Sequence, residues 1–119
     1  MTKALTFVEL SIANINRCEH LEGFNHSLSK WSLSDWMTAT CGELGEAANV
    51  LKKLNRSRDG ARGNKIGDEE LKRQFARELA DTVIYLDLMA QAAGIDLGNM
   101  VSEVFNAKSK EIGYRGVSL

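Results

Sequence analysis

Two pairs of acidic residues, Glu43 with Glu46 and Glu78 with Asp81, carry the clearest chemical signal in this 119-residue chain. In each pair the carboxylates stand three residues apart, so on a helix they share one face, about one turn from each other. Four carboxylates on two facing helices repel one another unless a cation sits between them. No histidine accompanies either pair. The ligand set is therefore all oxygen, which suits Mg²⁺, with Mn²⁺ as a substitute, better than zinc or iron. The spacing points to Mg²⁺-dependent phosphate-ester chemistry carried on helices.

Helices must therefore position these groups, and the local signals predict four. Thr6-Phe-Val-Glu9 is a capping-box pattern that opens an amphipathic stretch with Val8, Ile12 and Ile15, running to about His20 and closed by Gly23. Residues 24–30 are polar and without periodicity, and read as a loop leading to Trp31. Ser32-Leu-Ser-Asp35 is a second capping signal, for a helix reaching about Leu54. Residues 55–67 hold three glycines and four basic residues and read as a flexible basic loop. Asp68 is placed to cap a third helix, with Glu69 and Glu70 in its first turn, that runs to Ala93 and stops at Gly94. Asp96 is placed to cap a last helix to Ile112, ended by Gly113. With no convincing strand, the expectation is an all-α fold, a four-helix bundle or half of a helical dimer.

At about 100° per residue, Trp36, Ala39, Glu43, Glu46, Val50 and Lys53 fall on one stripe of the second helix. Leu71, Glu78, Asp81 and Tyr85 share a side of the third, which is expected to pack antiparallel to the second. Its other side carries Leu79, Val83, Leu86 and Ala90. A helix apolar nearly all round is the pattern of one buried within an assembly, and its carboxylates then face inward, where a lone charge is costly. One E-x-x-E on a helix is commonplace and usually a solvated face. The second pair, on a central apolar helix, shifts the balance to metal binding.

Composition narrows the rest. An apolar fraction of 44% is that of a globular protein, and the length suits one domain, residues 1–119. Fifteen basic against sixteen acidic residues, net −1, give no reason to expect nucleic acid or an acidic membrane. The absence of proline fits long uninterrupted helices. Cys18 and Cys41 show neither metal spacing nor a disulfide framework, and no signal pattern or membrane-length apolar run is present. A cytoplasmic location, in a bacterium or a phage-infected host, is the expectation.

The combined motif, E-x-x-E and then E-x-x-D, resembles that of the all-α nucleotide pyrophosphohydrolases, the MazG-like group related to the dimeric dUTPases and dCTP pyrophosphatases. The likeness extends to Gly42-Glu-Leu-Gly-Glu-Ala-Ala and to Glu78-Leu-Ala-Asp-Thr-Val-Ile-Tyr, and covers roughly residues 31 to 115. Asn49-Val-Leu-Lys-Lys-Leu-Asn-Arg, followed by the basic loop, is similar to small phage-encoded, MazZ-like members, some of which act on purine deoxynucleotides such as dGTP. The resemblance implies hydrolysis of a nucleoside triphosphate between its α and β phosphates, giving a monophosphate and pyrophosphate. It also implies Mg²⁺ held by Glu43, Glu46, Glu78 and Asp81, with Glu46 the candidate base for the attacking water.

Supporting residues each have two readings. Lys53, two turns beyond Glu46, is within reach of a polyphosphate or is simply an exposed lysine near a helix end. Tyr85, one turn after Asp81, approaches the sugar by the same resemblance or belongs to the core. Asn106 matches an asparagine near the substrate on the family's last helix, and Lys108, Lys110 and Arg115 offer charge to phosphates. Val104 and Ser109 depart from the basic residues often found there. Trp31 and Trp36 are able to stack on a base or to fill the core. His20, Asn25 and His26 lie where relatives keep base-recognition residues, the alternative being a solvated loop. Arg56, Arg58, Arg62 and Lys65 either close over the phosphates or serve solubility.

The apolar third helix implies a homodimer or homotetramer, with substrate near an interface. The competing class is a non-catalytic helical module whose acidic face docks a basic partner. A di-iron bundle is discounted because it would use Glu-x-x-His pairs.

Overall fold

The computed structural model describes residues 3–119. The chain is all-α: α1 spans Phe7–Glu19, α2 Leu33–Arg58, α3 Asp68–Ala92 and α4 Leu97–Glu111, with a 3₁₀ turn at Leu28–Lys30. No strand occurs among the described residues, and none of their helices is long and apolar enough to cross a membrane.

Capping chemistry explains the starts. Thr6 Oγ1 accepts from the Glu9 amide at 3.1 Å while Glu9 returns a carboxylate to the Thr6 amide at 3.0 Å. Ser32 and Asp35 repeat the exchange at 3.2 and 2.9 Å, and Asp96 Oδ1 accepts from the Asn99 amide at 3.1 Å. Each reciprocal box satisfies two orphan donors of a first turn. At α3 the expected cap moves by one residue. Asp68 is the first helical residue, and the Gly67 carbonyl accepts the first helical bond from Leu71 at 3.1 Å. Asp68, Glu69 and Glu70 then face the positive end of the helix dipole.

Glycine stops set most of the other ends, and α2 runs beyond its expected one. It continues one turn past Leu54, because its stop is Gly60: the Ala61 amide reaches the Arg56 carbonyl at 3.0 Å and the Gly60 amide that of Ser57 at 3.1 Å. The same paired bonds close α3 at Gly94 and α4 at Gly113, and all three glycines have φ between 68° and 75°. α1 ends at Glu19, next to the expected end at about His20, but the residue that leaves helical geometry is His20 itself, with ψ 142°, rather than Gly23. The loop after it is tied down by the His26 amide on the Cys18 carbonyl at 2.8 Å and the Leu28 amide on Glu19 Oε2 at 2.9 Å. A polar segment held by such bonds has no periodicity to betray it.

Packing divides the chain into two compact units, and the division falls within α3 between Leu86 and Asp87. One unit runs through Lys30 and resumes at Asp87. Its keystone is polar: Asp87 is 1% exposed and accepts from Ser11 Oγ at 2.6 Å, Asn14 Nδ2 at 2.9 Å and Gln91 Nε2 at 2.9 Å. The α1 side that packs is therefore the one bearing Asn14 and Cys18, and Val8 and Ile12 stay exposed. The other unit, Trp31–Leu86, holds α2 and most of α3. Trp36, Ala47, Val50 and Leu71 are buried there. The side chains of Leu79, Val83 and Leu86, expected inside an assembly, lie exposed on the single chain.

Replacing Asp87 by Ala removes the acceptor on which three donors converge. The expected cost is about 3 kcal/mol, read as a lower urea midpoint at unchanged slope. Asp87→Asn, which keeps one carbonyl oxygen, is expected to cost less. An Asp87→Ala midpoint equal to that of the wild type would remove the network from its structural role.

Candidate metal centre

The aromatic pair Trp36 and Tyr85 sets the register of α2 against α3. Trp36 is buried against Trp31, ring centroids 4.7 Å apart and edge-on, and against Tyr85 at 6.5 Å. From this anchor Glu43 lies seven residues forward on α2 and Glu78 seven residues back on α3. Seven residues are about two turns, so antiparallel helices bring the two glutamates to the same level and the same side. Glu46 follows one turn later. Carboxylate oxygens of Glu43, Glu46 and Glu78 lie within 4.8 Å of one another. Glu43 and Glu78 are half-buried, and Glu46 is exposed.

The electrostatics are those of crowded acids. A hydrogen bond shared with Glu46, then burial, then the charges of Glu46, Glu43 and Asp81 push Glu78 up to about 7. Burial first, then repulsion from Glu46 and Asp81, raises Glu43. Asp81, one turn beyond Glu78, is exposed and stands outside the close trio, though its charge is felt by both half-buried glutamates.

The donor set fits a hard divalent cation. All ligand atoms are carboxylate oxygens, and Glu78 Oε2 is buried with no hydrogen-bond partner among the described residues. On octahedral Mg²⁺ neighbouring ligands stand about 3 Å apart and opposite ones about 4.2 Å, so oxygens spread over as much as 4.8 Å have to draw closer to share one ion. An orphaned buried acceptor is costly, and a cation is the simplest partner for an acceptor surrounded by acids.

The remaining expected residues fall into two groups. Lys53 is half-buried on the carboxylate stripe near the end of α2, and Tyr85 is half-buried beside Trp36. Of the two tryptophans, Trp36 is 2% exposed and Trp31 37%, so Trp31 is the one partly open to solvent. Asn106, Lys108, Lys110 and Arg115 belong to α4 and the tail of the other unit. The Asn106 side chain there pairs with the backbone of Leu119 at 2.7 and 2.9 Å, and Lys108 pairs with Glu111 at 3.1 Å. Lys110 and Arg115 are exposed. His20 Nδ1 accepts from the Glu22 amide within its loop at 3.0 Å, and Asn25 adopts a left-handed φ of 50°. Sequence reasoning passed over Gln74 and Asn64, which stand beside Lys53. Gln74 was within reach of the periodicity argument, being one turn before Glu78, whereas a loop asparagine carries no such signal.

Neither protein-family models, curated proteins nor solved structures give a match to this chain.

The pH dependence of metal-free stability follows from Glu78. Its folded pKa of about 7 exceeds the ordinary 4.5, so the folded state holds a proton that the unfolded chain releases. That stabilisation is complete below about 4.5 and lost as pH rises through about 7. In chelator, the melting temperature of the wild type minus that of Glu78→Gln is expected to fall between pH 5 and pH 8, and Mg²⁺ to restore it at pH 8. Parallel curves for the two proteins would show that Glu78 is not held in a crowded acidic site.

Proposed function

We propose that this chain is a Mg²⁺-dependent nucleoside triphosphate pyrophosphohydrolase of the MazG-like all-α kind, cleaving between the α and β phosphates to give a monophosphate and pyrophosphate. The observation that carries this reading is the carboxylate trio at the E-x-x-E and E-x-x-D positions, one member of which, Glu78, has its Oε2 buried without a hydrogen-bond partner. The motif resemblance supplies the reaction class, and the geometry supplies a site able to hold the ion that this class needs.

Glu43, Glu46, Glu78 and Asp81 would hold Mg²⁺. Once bound, the ion would offset phosphate charge, orient the polyphosphate and acidify water. Among the clustered acids Glu46 is the exposed one, which suits it to accept a proton from the attacking water. Lys53 lies further along the same stripe as a counter-charge for phosphate oxygens. Trp31 offers an aromatic face for the base and Tyr85 a hydroxyl for the sugar side. With phosphoryl chemistry of this sort, positioning and charge compensation do most of the work. The loop similarity to small phage-encoded members favours deoxypurine substrates such as dGTP.

We further infer a homo-oligomer, dimer or tetramer, in the four-helix-bundle-like arrangement of that family. The supporting observation is the exposed apolar surface of α2 and α3, with Leu44 54%, Leu51 41%, Leu79 42% and Val83 47% exposed, since exposed apolar surface of this kind can mark an interaction site.

The test is pyrophosphate release, with Mg²⁺, from each of the eight common ribo- and deoxyribonucleoside triphosphates. Metal-dependent release from one or two of them is expected, and Asp81→Asn is expected to lose at least about 100-fold in rate, since an ion's ligand and a negative charge disappear together. No release from any nucleotide would sink the reading and leave the acidic face as a docking surface for a basic partner.

A further inference from the structure

Where α2 ends and the basic loop turns back, a cavity of about 410 Å³ is lined by Lys53, Arg56, Asn64, Lys65 and Gln74, with the fully buried Leu71 on its wall. Its size falls within the range of small-ligand sites. Asn64 builds it. Asn64 Nδ2 donates to the Lys53 carbonyl at 2.7 Å, and Asn64 Oδ1 accepts from Arg56 Nη1 at 3.2 Å. Gly63 allows the loop to pass there: its φ is 124°, and a Cβ would stand 3.3 Å from Arg56 Nη1. The segment expected as a loose basic loop is thus latched to the helix it follows.

Three cations line the cavity and no acid does. Among the described residues none of the three forms an ion pair, whereas the neighbouring Arg58 is engaged by Asp59 at 2.8 and 3.1 Å. Basic residues in a last turn also complement a helix dipole, and that accounts for Arg56. It does not account for Lys65, which lies outside the helix, or for Lys53, which precedes its last turn. Like charges gathered around a concave, partly apolar wall make a site for an anion.

Position narrows the anion. Lys53 follows Glu46 by seven residues, about 10 Å along α2, and Gln74 precedes Glu78 by four, about 6 Å along α3. The cavity therefore continues the carboxylate face, at the reach of a chain of phosphates. We propose that it is a binding site for a pyrophosphoryl group, either free inorganic pyrophosphate or the same group at the end of a nucleoside triphosphate. The identity of the anion rests on the hydrolase reading; the existence of the site does not. Lys65 and Arg56 hold the oxygens, Lys53 supplies charge on the side of the acids, and Asn64 is the positioning residue that keeps loop and helix together.

Calorimetric titration with inorganic pyrophosphate, in chelator and again with Mg²⁺, tests this on the wild type, Lys65→Gln and the Lys65→Gln/Arg56→Gln pair. Lys65 makes no hydrogen bond or ion pair among the described residues, so its variant should keep the wild-type melting temperature and isolates the charge. Saturable binding is expected, weakened about tenfold by Lys65→Gln and further by the pair. Affinity for a nucleoside monophosphate should be unchanged, and that for a nonhydrolysable triphosphate analogue should fall with that for pyrophosphate. No pyrophosphate binding under either condition, or equal binding by all three proteins, overturns the site. The hydrolase reading is judged separately by pyrophosphate release. A chain that cleaves no nucleotide but loses pyrophosphate affinity in Lys65→Gln keeps this site. An active enzyme whose triphosphate and pyrophosphate affinities ignore Lys65 loses it.

Discussion

The repulsion among Glu43, Glu46 and Glu78 is the constraint around which α2 and α3 are organised. Three acids with oxygens within 4.8 Å push the helices apart at mid-length, so attraction must come from the flanks. On one side Trp31, Trp36 and Tyr85 interlock; on the other Val50 and Leu71 are buried. Apolar burial at roughly 25 cal/mol per Å² is indifferent to charge, so the helices stay registered whatever the protonation state of the acids between them. The crowding of the acids is thus built into the packing of the two helices rather than imposed from outside. The exposure of Glu46 beside two half-buried partners leaves that arrangement open to solvent on one side.

Much of this was legible because it is periodic or local. The caps at Thr6, Ser32 and Asp96 are four-residue patterns, and the glycines at 94 and 113 are the usual left-handed stops. The carboxylate face followed from spacing alone. What was illegible depended on partners distant in sequence. α2 outran Leu54 because the decisive glycine was the first one to which a Schellman closure could reach, Gly60, and a cluster of Asn, Arg and Ser looked like loop already. The packed face of α1 was chosen by Asp87, about 75 residues away, against the visible apolar stripe of Val8 and Ile12. Trp36 and Trp31 have equal claims as sequence, and only packing makes one a core ring and the other a surface ring. Asn64 had no pattern at all, since a latch is defined by the carbonyl and guanidinium it finds.

Two carboxylates of α3, nine residues apart, make the functional argument by contrast. Asp87 is more deeply buried than Glu78, yet it is met by a hydroxyl and two amide donors and is fully answered inside its own unit. A buried acid so furnished is a structural element: its charge is solvated by the protein, and removing it harms the fold. Glu78 is surrounded by Glu43, Glu46 and Asp81, one of its oxygens is buried without a donor, and its pKa is driven to about 7. The same helix shows that this chain can satisfy a buried carboxylate where it has a use for one as mortar. Glu78 has no such donors around it and is left to share a proton with Glu46, so its cluster, unlike Asp87, is one that could hold a divalent cation.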